Sequence, residues 1–141
     1  MRTSKILKDI AICSLIFFGV FYVLPKTLSL TLKSPYPIAA VSSNSMQPIL
    51  EKGDLILIKG VKKGDIKTGD IVVYKIDEGF IIHRVIKLQD RVLITKGDAN
   101  TYPDLPVKYD KVVGKTVNIG KSPLTIPYLG NITAFANPVK K

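Results

Sequence analysis

An uncharged run near the N-terminus limits what this chain can fold into. Ile10 to Leu24 is a stretch of fifteen residues without a charged side chain. A helix that spans a membrane needs roughly 20 residues, so this run is short by itself. It must extend to residues 6 and 7 on one side, or past Pro25 to Leu32 on the other, with lysine side chains reaching back to the membrane surface.

Three interpretations of this run compete. A cleaved export signal requires a small-x-small sequence soon after the run, and Pro25 to Leu30 offers none. A buried helix would be unusually apolar for so small and basic a domain. We therefore favour an uncleaved membrane anchor. Three basic residues precede the run and only Lys26 and Lys33 follow it before residue 34, which favours a cytoplasmic N-terminus.

Beyond residue 34 the pattern is typical of strands. Short β-branched runs alternate with turns rich in Gly, Asp and Lys, and no amphipathic helix of useful length is evident. The predicted strand segments are Leu55 to Ile58, Ile71 to Tyr74, Phe80 to Lys87, Arg91 to Thr95, and at least one within Val107 to Asn118. Thr31 to Pro37 is predicted to be a linker. We expect a mainly β fold, a compact β-sandwich or barrel over residues 34–141, behind an anchor segment over residues 1–33.

Composition excludes several functional classes. The chain has 21 Lys and Arg against 11 Asp and Glu, but the basic residues are spread and form no nucleic-acid-binding motif, so no nucleic acid partner is expected. Cys13 is the single cysteine, which precludes an intramolecular disulfide. With one histidine as well, no Cys/His zinc site can form, and we expect neither a metal nor a cofactor.

The residues that could carry chemistry occur in three segments. A polar loop, Val41 to Pro48, contains Ser43 and Ser45; His83 lies in a predicted strand; Asp98 and Asp104 lie in a later loop. Each has an ordinary structural explanation when taken alone: a serine-rich turn, a half-buried strand histidine, and an Asx turn after a glycine. Only the ordered set points to a hydrolytic site.

The ordered set resembles type I signal peptidases. S-N-S-M-Q-P at residues 43–48, I-H-R-V at residues 82–85 and K-G-D-A-N at residues 96–100, followed by Asp104, are similar to the archaeal and endoplasmic-reticulum branch, in which histidine replaces a lysine base. The resemblance covers roughly residues 5 to 130. It implies a membrane-anchored serine endopeptidase whose extracytoplasmic domain cleaves exported preproteins after small-x-small sequences.

The resemblance also implies residue roles. Ser45 would be the nucleophile, and its N–H together with the Ser43 hydroxyl would form the oxyanion site. His83 would be the general base, and as the only histidine it is the only side chain of this chain whose unperturbed pKa lies near neutrality. Asp104 would orient His83, and Asp98 would support the loop or the serine, although spacing alone leaves open which aspartate contacts the histidine. Arg84, on the opposite face of the strand, is interpreted as structural.

Several alternatives and details stay open at this stage. A self-cleaving repressor peptidase uses lysine and carries DNA-binding helices, which this apolar N-terminus lacks; a non-catalytic membrane-tethered β module that binds a partner is the main rival from another class. The segment Leu55 to Ile58 could line substrate pockets, face lipid or form core. The apolar tail, Ser122 to Ala136, could lie on the bilayer or close the β domain, and Asn131 begins a glycosylation sequon.

Expected partners are preproteins and membrane lipid, and accessory subunits of the secretion machinery stay an open question. The lack of a second apolar helix favours a single-anchor form.

Overall fold

The computed structural model describes residues 2–129, and side chains from residue 5 onward. The predicted sequon at Asn131 and the end of the apolar tail lie outside this part of the chain. The described elements are one long helical segment followed by short strands. The helices are α1 (Arg2–Phe18) and α2 (Leu24–Leu32), joined by a π-helical turn (Gly19–Val23). The strands are β1 (Ile38–Ala40), β2 (Leu55–Lys59), β3 (Ile71–Ile76), β4 (Gly79–Leu88), β5 (Val92–Lys96), β6 (Val107–Lys108), β7 (Val112–Thr116), β8 (Asn118–Ile119), β9 (Ser122–Pro123) and β10 (Thr125–Ile126).

The helical segment is longer than the uncharged run that predicted it. Lys5–Leu32, 28 residues, is long and apolar enough to cross a membrane, and no residue of its apolar window is buried against the rest of the protein. The apolar run therefore extends at both ends. The predicted linker is shorter than expected, because the helix continues through Leu32, where Lys33 adopts a left-handed conformation and ends it.

The helix end is held against the β domain. Gly60 N–H donates to Leu32 C=O at 2.8 Å. A Cβ atom at Gly60 would lie 1.9 Å from Lys33 O, so only glycine allows this approach. Ser34 is buried next to the junction, and its C=O accepts from the Ser29 hydroxyl at 2.7 Å. These contacts join α2 to β2.

The β prediction is confirmed, and its central feature is an antiparallel sheet of eight strands. Seven of them follow the order β1-β2-β7-β3-β4-β5-β6, and β10 pairs separately with β2. The hairpin predicted around residues 88–90 joins β4 to β5. The pairing of Thr125 with Ile56 brings that part of the tail onto the sheet.

Alternate residues of the strands bury two separate clusters. This arrangement follows from the two-residue period of a strand, which sends neighbouring side chains to opposite faces. One cluster contains Val41, Met46, Leu50, Ile56, Ile58, Ile71 and Val73. The other contains Ile66, Val72, Tyr74, Val85, Leu93 and Val107. Ile56 and Ile58 are thus core residues, as one of the three interpretations of their segment held.

We predict that Gly60→Ala loosens the junction between helix and β domain. The added methyl group forces Lys33 O away and breaks the bond to Leu32, which lowers the free energy of unfolding by about 1 kcal/mol. Limited trypsin digestion should then cut faster after Lys33, which is exposed at the junction. Gly64→Ala is the matched control, because a Cβ there meets nothing within 4 Å. Equal cleavage rates in the two variants would contradict the prediction.

Candidate active site

The loop that carries Ser45 is fixed by its neighbours. Met46 is 1% exposed and inserts into the first core cluster, while Ser45 beside it stays half-buried. Leu50 N–H donates to Met46 C=O at 3.0 Å, and Val41 N–H donates to Asp54 C=O at 2.8 Å. A buried side chain directly after the serine thus anchors the loop and leaves the hydroxyl at the surface of the core.

His83 lies in β4 opposite Val72 of β3, on the face of the second core cluster. It is 7% exposed, and its Nε2 lies 3.1 Å from Ser45 Oγ. Its Nδ1 lies 2.6 Å from Asp104 Oδ2. A carboxylate only accepts hydrogen bonds, so Nδ1 carries the proton and Nε2 is left as an acceptor for the Ser45 hydroxyl.

Asp104 is held by two neighbours besides His83. Its backbone N–H donates to Thr95 C=O at 2.8 Å. Its Oδ2 accepts from the Thr95 hydroxyl at 2.7 Å and from the Tyr74 hydroxyl at 3.1 Å. Burial raises the pKa of Tyr74 to about 12, and the nearby Asp104 charge adds to this shift, although the bond with Thr95 opposes it. The phenol therefore keeps its proton and stays a donor.

Ser43 lies beside the serine rather than in the histidine network. Its Oγ is 3.0 Å from Ser45 Oγ. Among the described residues, the Ser45 N–H donates to no other group. These are the two donors that the sequence analysis assigned to the oxyanion site.

Asp98 does not contact His83. Its two carboxylate oxygens accept from Arg84 Nε at 2.7 Å and from Arg84 Nη2 at 2.6 Å, and the bond raises the pKa of the guanidinium. Arg84 also donates to Gly69 C=O at 2.9 Å. The two aspartates therefore contact opposite faces of β4. Asp104 contacts His83 on one face, and Asp98 contacts Arg84 on the other.

The loop after β5 touches the serine loop directly. Ala99 N–H donates to Ser45 C=O at 2.9 Å. A Cβ atom at Gly97 would lie 2.6 Å from the same oxygen and 2.7 Å from Asn100 Nδ2. Asp98 lies between Gly97 and Ala99 in the sequence. Its ion pair with Arg84 therefore links the contact with the serine loop to β4.

Sequence reasoning missed Tyr74, Thr95 and the pairing of Arg84 with Asp98. A signal for the first two was present, since each is a residue with a hydroxyl in an otherwise apolar or charged strand segment. The register places Tyr74 opposite Ile81, on the same face as His83. Among the described residues, no group of three or more His, Cys, Asp or Glu side chains could hold a metal ion.

Comparison with known proteins gives a consistent set of relatives. Residues 19–117 match the family described as Peptidase S24-like. The chain is 35% identical over 125 residues to the signal peptidase complex catalytic subunit SEC11 of Candida dubliniensis, covering 82% of this chain and 75% of that protein. It is 32% identical over 117 residues to human SEC11C, the same kind of subunit, covering 77% of this chain and 61% of that protein.

We predict that Asp98→Ala destabilises the folded protein. The variant leaves the partly buried Arg84 without its carboxylate, at a cost of about 1–3 kcal/mol in the free energy of unfolding. Chemical denaturation in detergent, followed by tyrosine circular dichroism, measures the change. Asp90→Ala is the control, because the ion pair of Asp90 with Lys63 is exposed and such pairs contribute little. The interpretation fails if both variants unfold at the same denaturant concentration.

Proposed function

The chain belongs to the Peptidase S24-like family and within it to the signal peptidases, and on this premise we propose that Ser45, His83 and Asp104 cleave signal peptides from exported preproteins. The observation that supports these roles most directly is the continuous chain of contacts from Ser45 Oγ to His83 at 3.1 Å and from His83 to Asp104 at 2.6 Å. Such a chain combines a nucleophile, a base and a group that orients the base.

The proposed reaction has two steps. His83 Nε2 takes the Ser45 proton as Oγ attacks the scissile carbonyl carbon, and the same proton passes to the leaving amine when the C–N bond breaks. Water then attacks the resulting ester, with His83 again as base, and releases the signal peptide from Ser45. Asp104 stabilises the imidazolium in both steps.

The proposed oxyanion site consists of Ser45 N–H and the Ser43 hydroxyl. The hydroxyl lies 3.0 Å from Ser45 Oγ at rest, close to the carbonyl oxygen of a substrate bound at that serine. Removing one such donor typically lowers kcat by about 10²–10³-fold. Asp98 has a supporting role in this proposal, through its contact with Arg84.

The substrate segment is proposed to bind as an extended strand. Within the described part of the chain, β1 is one of the two end strands of the sheet order, and its last residue, Ala40, is followed directly by the loop that carries Ser45. A preprotein segment that pairs with the free side of β1 would lead its scissile bond to the serine. Small side chains before the cleaved bond are the expected preference.

We expect that purified wild-type chain in detergent or lipid cleaves a preprotein with a small-x-small site. Ser45→Ala and His83→Ala should lower kcat by roughly 10³-fold or more, because each removes a reacting group. Asp104→Ala should reduce the rate strongly, and Asp98→Ala less, in proportion to its effect on folding.

Ser42→Ala is the matched control for these variants. Ser42 is an exposed hydroxyl of the same loop, and no catalytic role is assigned to it. Cleavage that survives Ser45→Ala would remove support for the assignment. A folded wild-type chain that binds preprotein without cleaving it would favour a binding module or a requirement for accessory subunits, as the name of the SEC11 relatives suggests.

The proposed topology has the N-terminus in the cytoplasm and the β domain outside. We predict that, in a Cys13→Ala background, a membrane-impermeant maleimide labels Lys121→Cys on intact cells and labels Thr3→Cys only after lysis. Lys121 is exposed in the β domain, and residue 3 precedes the apolar span Lys5–Leu32. The charge bias across the helix is the physical reason. The reverse labelling pattern would contradict the proposal.

A further inference from the structure

Three donors converge on one carboxylate oxygen beside the proposed base. Asp104 Oδ2 lies 2.6 Å from His83 Nδ1, 2.7 Å from Thr95 Oγ1 and 3.1 Å from the Tyr74 hydroxyl. Tyr74 is 3% exposed and Thr95 is fully buried. Side chains enclosed to this degree hold a fixed geometry, so the carboxylate cannot turn away from His83 without losing two further hydrogen bonds.

The two hydroxyls have defined proton directions. Thr95 has one proton, and its distance to Asp104 is shorter than the 3.3 Å to Tyr74, so it donates to the carboxylate. The Tyr74 phenol keeps its proton and donates to the same oxygen. Both hydroxyl groups therefore donate to the oxygen that accepts from His83 Nδ1.

We propose that Tyr74 and Thr95 are positioning residues that lock Asp104 against His83 and thereby fix which ring nitrogen of His83 carries the proton. This inference rests on the proposed function for its catalytic meaning. Locking keeps the proton on Nδ1 and leaves Nε2 open to Ser45.

The other charged groups around His83 are accounted for. Arg84 is adjacent in β4 but faces the other side, where Asp98 neutralises it. Lys75, Lys108 and Lys111 line an open cavity of about 460 Å³ that Asp104 and Tyr74 also line. These lysines are unchanged in the variants below, so a change in the tautomer of His83 reports the loss of the hydroxyl groups.

Since His83 is the only histidine in the chain, its imidazole can be followed by itself. We expect selective ¹⁵N labelling and NMR of the whole protein in detergent micelles, recorded where the imidazole is neutral, to report which ring nitrogen carries the proton. The fraction of the Nδ1–H tautomer should fall in Tyr74→Phe and Thr95→Val. Thr95→Ser, which restores the hydroxyl, should return this fraction to that of the wild type.

Tyr109→Phe is the matched control, because its hydroxyl donates to Gln89 C=O away from the site. In the cleavage assay, kcat should fall about tenfold in Tyr74→Phe and Thr95→Val, with KM unchanged. A tautomer fraction that is the same in the wild type and in both variants would overturn the inference. That result is independent of whether the wild type cleaves preproteins, so the failure of the proposed function would be recognised separately.

Discussion

The two-sided burial of β3 is the constraint on which the site depends. Ile71 and Val73 face one core cluster, and Val72 and Tyr74 face the other. Met46, the residue after the serine, packs in the first cluster, whereas His83 lies over the second. A shift of one residue in the pairing of β3 with β4 would exchange these faces and separate the serine from the histidine. Core packing therefore sets the geometry of the site.

The site is assembled from chain segments that are far apart in sequence. Ser45 comes from a loop before β2, His83 from the middle of β4, and Asp104 from the segment between β5 and β6. The hydrogen bond from Ala99 N–H to Ser45 C=O holds the loop after β5 against the serine loop through backbone atoms. The bonds between side chains then connect parts that the backbone has already brought together, which limits the entropy lost when substrate binds.

Much of the fold could be predicted from the sequence, because the sequence patterns that indicate its helix, strands and turns are local. Alternating apolar residues and Gly-Asp turns predicted the strands and the hairpin after β4, and the uncharged run predicted the helix. The extension of that helix beyond Pro25 was left open, because both ends of the run could supply the missing length. The pairing of Thr125 with Ile56 joins residues far apart in sequence, and local pattern does not predict such pairing.

The site residues could be identified as a set from the sequence, but their contacts could not be predicted from it. Spacing could not distinguish Asp98 from Asp104 as the partner of His83, because the choice depends on the path of a loop relative to two strand faces. His83 and Arg84 are neighbours that face opposite sides, and each takes one aspartate. Tyr74 and Thr95 were missed for the same reason: their role depends on where Asp104 enters, and only the assembled sheet determines that position.

The hydrogen bond from Gly60 N–H to Leu32 C=O also fixes the distance between the end of α2 and the β domain. Since the helix end and β2 are joined without a flexible spacer, the height of Ser45 above the membrane is set by the number of helical residues before Leu32, if the helix spans as proposed. Each residue added to or removed from the helix would move the serine by about 1.5 Å and rotate it by about 100° around the helix axis. The length of the anchor would thus set the distance of Ser45 from the bilayer. A scissile bond would be selected by its own distance from the bilayer as well as by the side chains that flank it.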